Sequence, residues 1–269
     1  MEKIIMYGKP VAEQIKNELK EKFAQKEYTL ATFLVGEDPA SLVYRDRLIR
    51  LAHSLGLKTR QVNLPATATQ KEAEEALSIL NADVTIQGIL PFMPLPAHLH
   101  SRKLCSILDP AKDVDCLSPA NAGELFLGCT ELAPCTPQAC LEILKYYDIK
   151  MAGKNVVILG RSNVVGKPLA LLLLMENATI TICHSKTKNL PDILRQADII
   201  VAAIGKANFV TEDMVKEGVV LVDVGINAVA GKIVGDLTHG AHVKASAYTP
   251  VPGGVGVVSN VMVMKALVR

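Results

Sequence analysis

Residues 155–168, NVVILGRSNVVGKP, combine the residue types and the spacing of a phosphate-binding turn. Their apolar start is typical of a buried parallel strand that stops at Gly160, and the following LALLLLMENA has the composition of a helix. A strand, a glycine turn and a helix in this order open a nucleotide-binding βαβ unit, where bare backbone and a helix N-terminus attract an anion. The segment therefore predicts a phosphate site. Its candidate residues are Gly160, Arg161, Ser162, Val165 and Gly166.

The glycine pattern of this turn, G-x-x-x-x-x-G, differs from the three-glycine fingerprint of dinucleotide sites. A second interpretation needs no ligand: Gly160 ends a strand and Gly166 lets the helix pack closely. Apolar runs at 178–185, 197–205 and 219–227 follow, each ending in Gly, Ser or Asn. Strands that end this way at one edge of a sheet line a crevice for a dinucleotide. The candidate cofactor residues at these ends are His184, Ser185, Ala203, Gly205, Gly225 and Asn227.

The end of the run at 178–185 favours one dinucleotide over another. Enzymes that use NAD usually place an Asp or Glu there for the ribose 2′-hydroxyl, whereas a basic residue suits a 2′-phosphate. Here the run ends in His184, Ser185 and Lys186, and Arg161 stands in the glycine turn. Because no carboxylate competes for this position, the sequence favours NADP over NAD. The other interpretation is that Arg161 and Lys186 are ordinary solvated charges.

Length, charge and cysteine usage limit the class of protein. The 269 residues, 49% of them hydrophobic, suffice for one large or two medium domains with proper cores. The 29 basic and 27 acidic residues nearly cancel, which argues against nucleic-acid or membrane surfaces held by charge and favours small-molecule partners. The six cysteines form no C-x-x-C pair, and neither an export signal nor a membrane-spanning apolar run is visible. We expect no metal site and a cytoplasmic protein with reduced thiols.

Helical and strand-like patterns alternate in the first half of the chain and predict an α/β domain with a mostly parallel sheet. The polar stretch 109–121 and the helix pattern of 133–147 are interpreted as a hinge into the nucleotide domain. Near the C-terminus, YTPVPGGVG forms a rigid loop before a final apolar helix, and its backbone either approaches a ligand or makes a plain domain crossover. The expected elements are helices at 10–27, 41–55 and 69–81 and strands at 29–38, 58–64 and 84–92.

A set of short motifs runs through nearly the whole chain in a fixed order. The motifs are VGEDPAS, Tyr44, PLP, KDVD, PCTP, GRSNVVGKP, CHSKT, DVGIN, Gly235-Asp236 and TPVPGGVG. Together they resemble the methylenetetrahydrofolate dehydrogenase/methenyltetrahydrofolate cyclohydrolase family, and GRSNVVGKP with CHSKT and TPVPGGVG is the most specific combination. The resemblance implies an N-terminal α/β domain over 1–138, a Rossmann domain that binds NADP over 139–254, and a folate cleft between them. A closing helix, 255–269, would return to the first domain.

The same resemblance implies roles for individual residues. Tyr44 would stack on and orient the folate, and Asp115 would bind the amino edge of the pterin. Arg161 and Ser185 would contact the 2′-phosphate, in agreement with the cofactor argument from residue chemistry. The folate site would also include Pro252, Gly253 and Gly254. Tetrahydrofolate one-carbon derivatives would be the substrates, and the protein would be a homodimer through its Rossmann domain.

The sequence departs from the family pattern at two polar residues beside the expected folate. The family's Tyr-x-x-x-Lys stands here as Tyr44-RDR-Leu48, so the catalytic lysine is missing. The glutamine of GILVQLPLP, which hydrogen-bonds that lysine in the family, is replaced by Phe92 in GILPFMPLP. A buried glutamine without its lysine would cost about 1–3 kcal/mol, so the paired change is consistent with a remodelled pocket. Drift in a dead site is the alternative.

Three smaller departures change glycine or loop positions of the family motifs. The family's DVDG ends here in Cys116, PCTPxG ends in Ala139, and TPVPGGVGPMT continues as TPVPGGVGVVS from Val257.

The chemistry of the two family reactions separates them. Opening the methenyl bridge requires water attack and proton transfers that a positioned lysine can manage and that Leu48 and Phe92 cannot. Hydride transfer from the methylene bridge has no obligatory proton to move, so donor and acceptor mainly need alignment. We therefore expect an NADP-dependent dehydrogenase that oxidises 5,10-methylenetetrahydrofolate to 5,10-methenyltetrahydrofolate. We expect its cyclohydrolase activity, which yields 10-formyltetrahydrofolate, to be lost or weak.

Other functions stay open on the sequence alone. A non-catalytic folate- and NADP-binding paralogue is motivated by the two lost polar residues and by the altered loop at Val257. A full bifunctional dehydrogenase/cyclohydrolase is the other possibility, with Arg47 or Arg50 reaching the place of the lysine. Arginine holds its proton too firmly to relay it well.

Overall fold

The computed structural model describes residues 3–268 of the chain. Its α-helices are α1 (Gly8–Gln25), α2 (Pro39–Ser54), α3 (Gln70–Ala82), α4 (Ser101–Ile107), α5 (Pro119–Phe126), α6 (Cys135–Tyr146), α7 (Gly166–Met175), α8 (Leu190–Gln196), α9 (His239–Lys244) and α10 (Val255–Lys265). Its strands are β1 (Ile4–Ile5), β2 (Thr29–Val35), β3 (Lys58–Leu64), β4 (Gly88–Pro91), β5 (Asn155–Leu159), β6 (Thr179–Cys183), β7 (Ile199–Ala202), β8 (Val220–Asp223), β9 (Asn227–Val229), β10 (Lys232–Val234) and β11 (Ala247–Tyr248). Short 3-10 turns lie at Thr130–Leu132, Glu212–Met214 and Ala266–Val268.

The chain divides into two compact units, each assembled from separate parts of the sequence. The six-stranded unit holds the described residues up to Glu13 together with Thr136–Ser259. The three-stranded unit holds Gln14–Cys135 together with the described residues from Asn260 onwards. Two α/β units with parallel sheets confirm the predicted fold class.

The predicted domain limits differ from these units in three places. The described residues up to Glu13 lie in the six-stranded unit, because β1 pairs in parallel with β11 through Ile4 and Ala247. The first division falls after Cys135 rather than after residue 138, and the return to the three-stranded unit begins at Asn260 rather than at residue 255. Strands of two residues carry no periodic signal, so the pairing of β1 was not visible in the sequence.

The sheet of the six-stranded unit follows the order β1-β11-β8-β7-β5-β6, and all of its neighbouring strands are parallel. The chain crosses from β5 through α7 to β6 at one edge, and then returns through α8 to β7 on the other side of β5. This reversal creates a switch point at the carboxyl ends of β5 and β7, where doubly wound sheets bind ligands. An antiparallel hairpin of β9 and β10 follows β8.

The three-stranded unit is organised around β2, which lies between β3 and β4 in a parallel sheet. Its side chains are buried on both faces from Leu30 to Val35, as the continuous apolar run requires. Helix α3 packs on this sheet and begins with a capping box, in which Thr69 and Glu72 exchange hydrogen bonds. Phe92 continues the ladder beyond β4, since its N–H donates to the Phe33 carbonyl at 2.8 Å.

One local prediction in this unit was wrong. The strand expected at 84–92 is limited to Gly88–Pro91, because the Asp83 carboxylate accepts hydrogen bonds from the N–H and hydroxyl of Thr85 and closes a turn. The polar stretch 109–121 ends in the first residues of α5, whose start is capped by the Ser118 hydroxyl. No helix within residues 3–268 has the length and apolar character needed to cross a membrane.

Candidate functional site

The glycine turn lies between strand β5 and helix α7, as predicted, at the switch point of the six-stranded sheet, and both of its glycines are required by backbone packing. Gly160 has a φ of +116° and donates its N–H to the Cys183 carbonyl at 2.9 Å. A Cβ atom on Gly160 would collide with the Ala203 carbonyl oxygen, and one on Gly166 would collide with the Gly160 carbonyl oxygen. The close approach of β5, β7 and α7 therefore excludes any side chain at these two positions.

Ser162 shapes the start of α7. Its hydroxyl accepts hydrogen bonds from the N–H groups of Val165 at 3.1 Å and Gly166 at 3.5 Å, and its carbonyl accepts from Lys167 at 3.1 Å. A hydroxyl that accepts in this way still has a proton to donate, which suits an anion at the mouth of the turn. The predicted residues Ser162, Val165 and Gly166 are thus brought together in one turn.

The residues predicted to contact a 2′-phosphate follow the carboxyl ends of two neighbouring strands. Strands β5 and β6 pair in register through Leu159 and Cys183, and Arg161 and Ser185 each follow two residues later. Both side chains are exposed. The CHSKT motif folds into a turn in which the His184 N–H donates to the Thr187 hydroxyl at 2.9 Å. The described residues of this turn include no Asp or Glu, so the local charge fits a phosphate.

The cofactor residues predicted at the ends of β7 and β8 are connected by two buried carboxylates. The Gly205 N–H donates to Asp236 Oδ2 at 3.0 Å, and the Asn227 side-chain amide donates to Asp236 Oδ1 at 2.9 Å. The Gly225 N–H donates to Asp223 Oδ1 at 3.0 Å. Sequence reasoning gave no role to either aspartate, although DVGIN and Gly235-Asp236 were among the motifs that carried the resemblance.

The loop at 249–254 belongs to the six-stranded unit and packs against its own chain. Gly253 has a φ of +109° and its carbonyl accepts from the Gly8 N–H at 2.8 Å. A Cβ on Gly254 would lie 2.6 Å from the Pro250 carbonyl oxygen, so backbone packing alone accounts for a glycine at this position. Pro252 is exposed in the same loop. The other predicted folate residues, Tyr44 and Asp115, belong to the three-stranded unit.

In the three-stranded unit, α2 places Tyr44 and Leu48 on one face, one turn apart. Leu48 is completely buried and Phe92 is 5% exposed. The rings of Tyr44 and Phe92 meet edge to face, with centroids 5.7 Å apart and an interplanar angle of 66°. The positions of the family's lysine and glutamine are therefore occupied by core side chains next to the retained tyrosine.

Asp115 is held near Tyr44 by a segment that runs beside β4. Ile89 donates its N–H to the Lys112 carbonyl at 2.6 Å and forms a bridge with Asp113. Asp115 Oδ1 then accepts the N–H of Cys135, the first residue of α6, at 2.8 Å. Cys135 is the last residue of this part of the three-stranded unit, so the bond lies within that unit.

The electrostatic environment of Tyr44 reflects the same cluster. Burial, followed by the neighbouring Cys135 and Asp115, raises the pKa of the Tyr44 hydroxyl above its ordinary value, and Arg47 opposes this shift. The hydroxyl therefore keeps its proton at neutral pH and can act as a hydrogen-bond donor. Tyr44, Asp115 and Cys135 form one polar cluster, in which sequence reasoning had missed the cysteine.

The smaller departures from the family motifs lie at constrained positions. Cys116 stands where the family has glycine and has a φ of +52°, a left-handed conformation that costs a side-chain-bearing residue about 1–2 kcal/mol. Ala139 is fully buried in α6.

Within residues 3–268, no group of three or more His, Cys, Asp or Glu side chains is arranged to hold a metal ion.

A doubly wound parallel sheet with a glycine turn at its switch point is the architecture of dinucleotide-binding α/β proteins. Two family models identify the particular group. Residues 134–269 match the NAD(P)-binding domain of tetrahydrofolate dehydrogenase/cyclohydrolase, and residues 6–115 match its catalytic domain. The chain belongs to the tetrahydrofolate dehydrogenase/cyclohydrolase family, which confirms the resemblance inferred from its motifs.

Relatives match over almost the whole chain. The bifunctional protein FolD of Clostridium novyi is 45% identical over 267 residues, covering 97% of this chain and 96% of the relative. The bifunctional enzyme FolD of Campylobacter jejuni has a solved structure with a TM-score of 0.95 at 42% identity, covering 98% and 96% of the two chains. The Trypanosoma brucei enzyme, solved with NADP cofactor and an inhibitor, gives a TM-score of 0.94 at 34% identity, covering 100% and 97%.

We expect Gly166→Ala to lower the free energy of unfolding by about 1–3 kcal/mol, because the new methyl group would collide with the backbone of Gly160 and Arg161. Gly123→Ala is the matched control, since a Cβ at this position in α5 has open space. It should be neutral or stabilising by up to about 1 kcal/mol. Urea unfolding of both variants measures the difference, and equal effects would show that packing does not require Gly166.

Proposed function

We propose that the protein is an NADP-dependent dehydrogenase that oxidises 5,10-methylenetetrahydrofolate to 5,10-methenyltetrahydrofolate. We propose further that its cyclohydrolase activity, which would convert the product to 10-formyltetrahydrofolate, is lost or weak. Family membership and relatives named as bifunctional FolD support the first part. The observation that carries the second part is the burial of Leu48 and Phe92 beside Tyr44, at the family's lysine and glutamine positions.

The proposed dehydrogenase reaction does not require the protein to transfer a proton. NADP would supply the hydride acceptor, and the chain would bind and orient the two substrates. The Tyr44 hydroxyl remains protonated and the Asp115 carboxylate lies within its electrostatic reach, so the cluster provides a donor and an acceptor group for a pterin. Arg161 and Ser185 would hold the 2′-phosphate, and the exposed turn that carries them is consistent with this role.

The cyclohydrolase half needs a group that moves protons at the methenyl bridge. Leu48 and Phe92 have no exchangeable proton, and both are buried in the core of their unit. Arg47 is exposed and lies within electrostatic reach of Tyr44, but a guanidinium keeps its proton at any working pH. Water attack on the methenyl carbon would therefore proceed without the family's positioned relay.

A full bifunctional enzyme is the second candidate. It is favoured by the 45% identity to a protein named bifunctional, and by the retained cluster of Tyr44, Asp115 and Cys135. A paralogue that binds folate and NADP without turnover is the third candidate, and the altered sequence from Val257 supports it.

One pair of assays separates these candidates. We expect NADPH formation from methylenetetrahydrofolate, together with hydrolysis of methenyltetrahydrofolate that barely exceeds the uncatalysed rate, on the same preparation. Hydrolysis as fast as oxidation would establish the bifunctional enzyme and contradict the loss. Retained NADP binding without any NADPH formation would contradict dehydrogenase activity and leave the binding paralogue.

The assembly and compartment are also proposals. Strand β6 ends the six-stranded sheet, and Ile182 on β6 is 37% exposed while Leu174 on the preceding helix is 58% exposed. These apolar side chains at a sheet edge support a homodimer through this unit, which sedimentation equilibrium would test. All six cysteines are free thiols, which supports the cytoplasm as the compartment, and fractionation would test it.

Arg161→Ala should weaken NADP binding by about 10- to 100-fold and leave NAD binding almost unchanged, because one charge-assisted contact to the 2′-phosphate is lost. Titration calorimetry with both cofactors measures the change. Arg102→Ala removes the same charge from an exposed position in the three-stranded unit and should change neither affinity. Equal losses for NADP and NAD in Arg161→Ala would show that this residue does not read the phosphate.

Restoring both family residues should restore hydrolysis. Leu48→Lys alone would place an ammonium in a fully buried position while Phe92 still stands at the family's glutamine position, so desolvation would lower the pKa of the lysine and no amide would orient it. Leu48→Lys with Phe92→Gln should instead give measurable methenyltetrahydrofolate hydrolysis, with a gain in free energy that exceeds the sum of the single changes.

Leu48→Met with Phe92→Gln is the control for this pair, since it carries the amide without the ammonium. A double variant that binds folate and shows no hydrolysis above the parent would mean that Cys116, Ala139 or Val257 has also changed the site. The explanation by the lysine and glutamine alone would then be wrong.

A further inference from the structure

We propose that Asp236 is a positioning residue for the dinucleotide, because its carboxylate holds the loop after β7 and the loop after β8 in one arrangement. The inference rests on the proposed function, since it concerns the same cofactor site. Asp236 itself was not among the residues that the sequence predicted to contact the cofactor.

The Asp236 carboxylate is fully buried and accepts four hydrogen bonds. Oδ2 accepts the N–H groups of Ile204 at 2.8 Å and Gly205 at 3.0 Å. Oδ1 accepts the N–H of Lys206 at 2.8 Å and the side-chain amide of Asn227 at 2.9 Å. A carboxylate offers about four lone-pair sites, so these donors saturate it. Three successive amides after β7 and one side chain after β8 are thus fixed to a single group.

Asp223, at the end of β8, holds Asp236 in place. Its Oδ1 accepts the N–H groups of Asp236 and Gly225, each at 3.0 Å, and its Oδ2 accepts the N–H of Leu237 at 3.0 Å. A Cβ on Gly225 would collide with the Asp236 carboxylate, and one on Gly235 would collide with that of Asp223. The two glycines leave the space that lets the carboxylates approach the backbone.

Two buried carboxylates at close quarters are costly, and this cost argues for a purpose beyond stability. Burial, together with the charge of Asp236, raises the pKa of the Asp223 carboxyl to about 6. Neutral side chains could close these loops without bringing two charges out of water. Such arrangements are concentrated at functional sites, and here they lie at the carboxyl edge of the sheet next to its switch point.

The position in the sheet identifies the part of the dinucleotide concerned. Arg161 and Ser185, the proposed 2′-phosphate contacts, follow β5 and β6. The loops held by Asp236 follow β7 and β8, on the opposite side of β5. A dinucleotide crosses the switch point of a doubly wound sheet, so these loops face the half that lacks the 2′-phosphate. NADP and NAD share that half, and Asp236 should affect both.

Asp236→Asn keeps the shape of the side chain and turns one acceptor into a donor, which must face an N–H of the loop or the Asn227 amide. We expect the dissociation constants of NADP and NAD to rise together by about tenfold or more, with their ratio unchanged. The KM for methylenetetrahydrofolate should stay within about twofold of the parent value. This pattern differs from that of Arg161→Ala, which should change the ratio.

Asp198→Asn is the matched control. Its carboxylate accepts the Asn155 N–H and pairs with Lys216, at the amino ends of the strands of the same sheet. It should lower the thermal midpoint and leave both cofactor affinities unchanged. If Asp236→Asn likewise lowers only the midpoint, its role is structural and the proposal is wrong.

A measurement on the unaltered protein keeps the proposal testable if the variant does not fold. The amide hydrogens of residues 204–206 should exchange as slowly as those of β7, although they follow the strand end. Rapid exchange would contradict the proposal. Because direct binding is measured, a parent protein that binds NADP without turnover would contradict the dehydrogenase proposal and leave the role of Asp236 to be decided by these tests.

Discussion

The structure depends on one steric constraint: no side chain fits where β5 ends between β7 and the start of α7. A Cβ on Gly160 or Gly166 would meet backbone carbonyl oxygens. The two glycines therefore let the chain leave the sheet at its switch point, and they present the following polar residues at its edge. This packing requirement accounts for both glycines whether or not the turn binds a phosphate, so the glycine pattern alone could not separate the two interpretations offered for it.

At the same edge of the sheet, two buried carboxylates hold the chain that follows β7 and β8. Asp223 and Asp236 are almost fully removed from water, and backbone N–H groups compensate for this burial. Hydrogen bonds from several loops to two carboxylates make these loops interdependent, since releasing one donor leaves a buried acceptor unsatisfied. The positions of the cofactor residues proposed after β7 and β8 therefore depend on this pair of carboxylates.

The three-stranded unit shows the opposite trend, in which polar positions have become apolar. Leu48 and Phe92 pack in the core next to Tyr44, while Asp115 and the start of α6 keep their polar contact. A lysine or a glutamine added alone would be buried without a partner, whereas the two together satisfy each other. Replacing both polar residues together therefore avoids leaving either one buried without a partner beside Tyr44.

The sequence by itself determined the α/β class, the glycine turn and the family, because long periodic segments and motifs with fixed spacing express local constraints. It also led to the proposal that Leu48 and Phe92, next to Tyr44, decide which of the two family reactions the protein catalyses. Only the tertiary structure showed that β1 joins the six-stranded sheet and that Asp236 connects the chain after β7 with the chain after β8. Both depend on contacts between residues far apart in the chain, such as Ile4 with Ala247 or Ile204 with Asp236, and no local pattern records such contacts. The expected strand at 84–92 was too long for a different reason: the Asp83 carboxylate closes a local turn with Thr85, and hydrophobic periodicity does not detect such a turn.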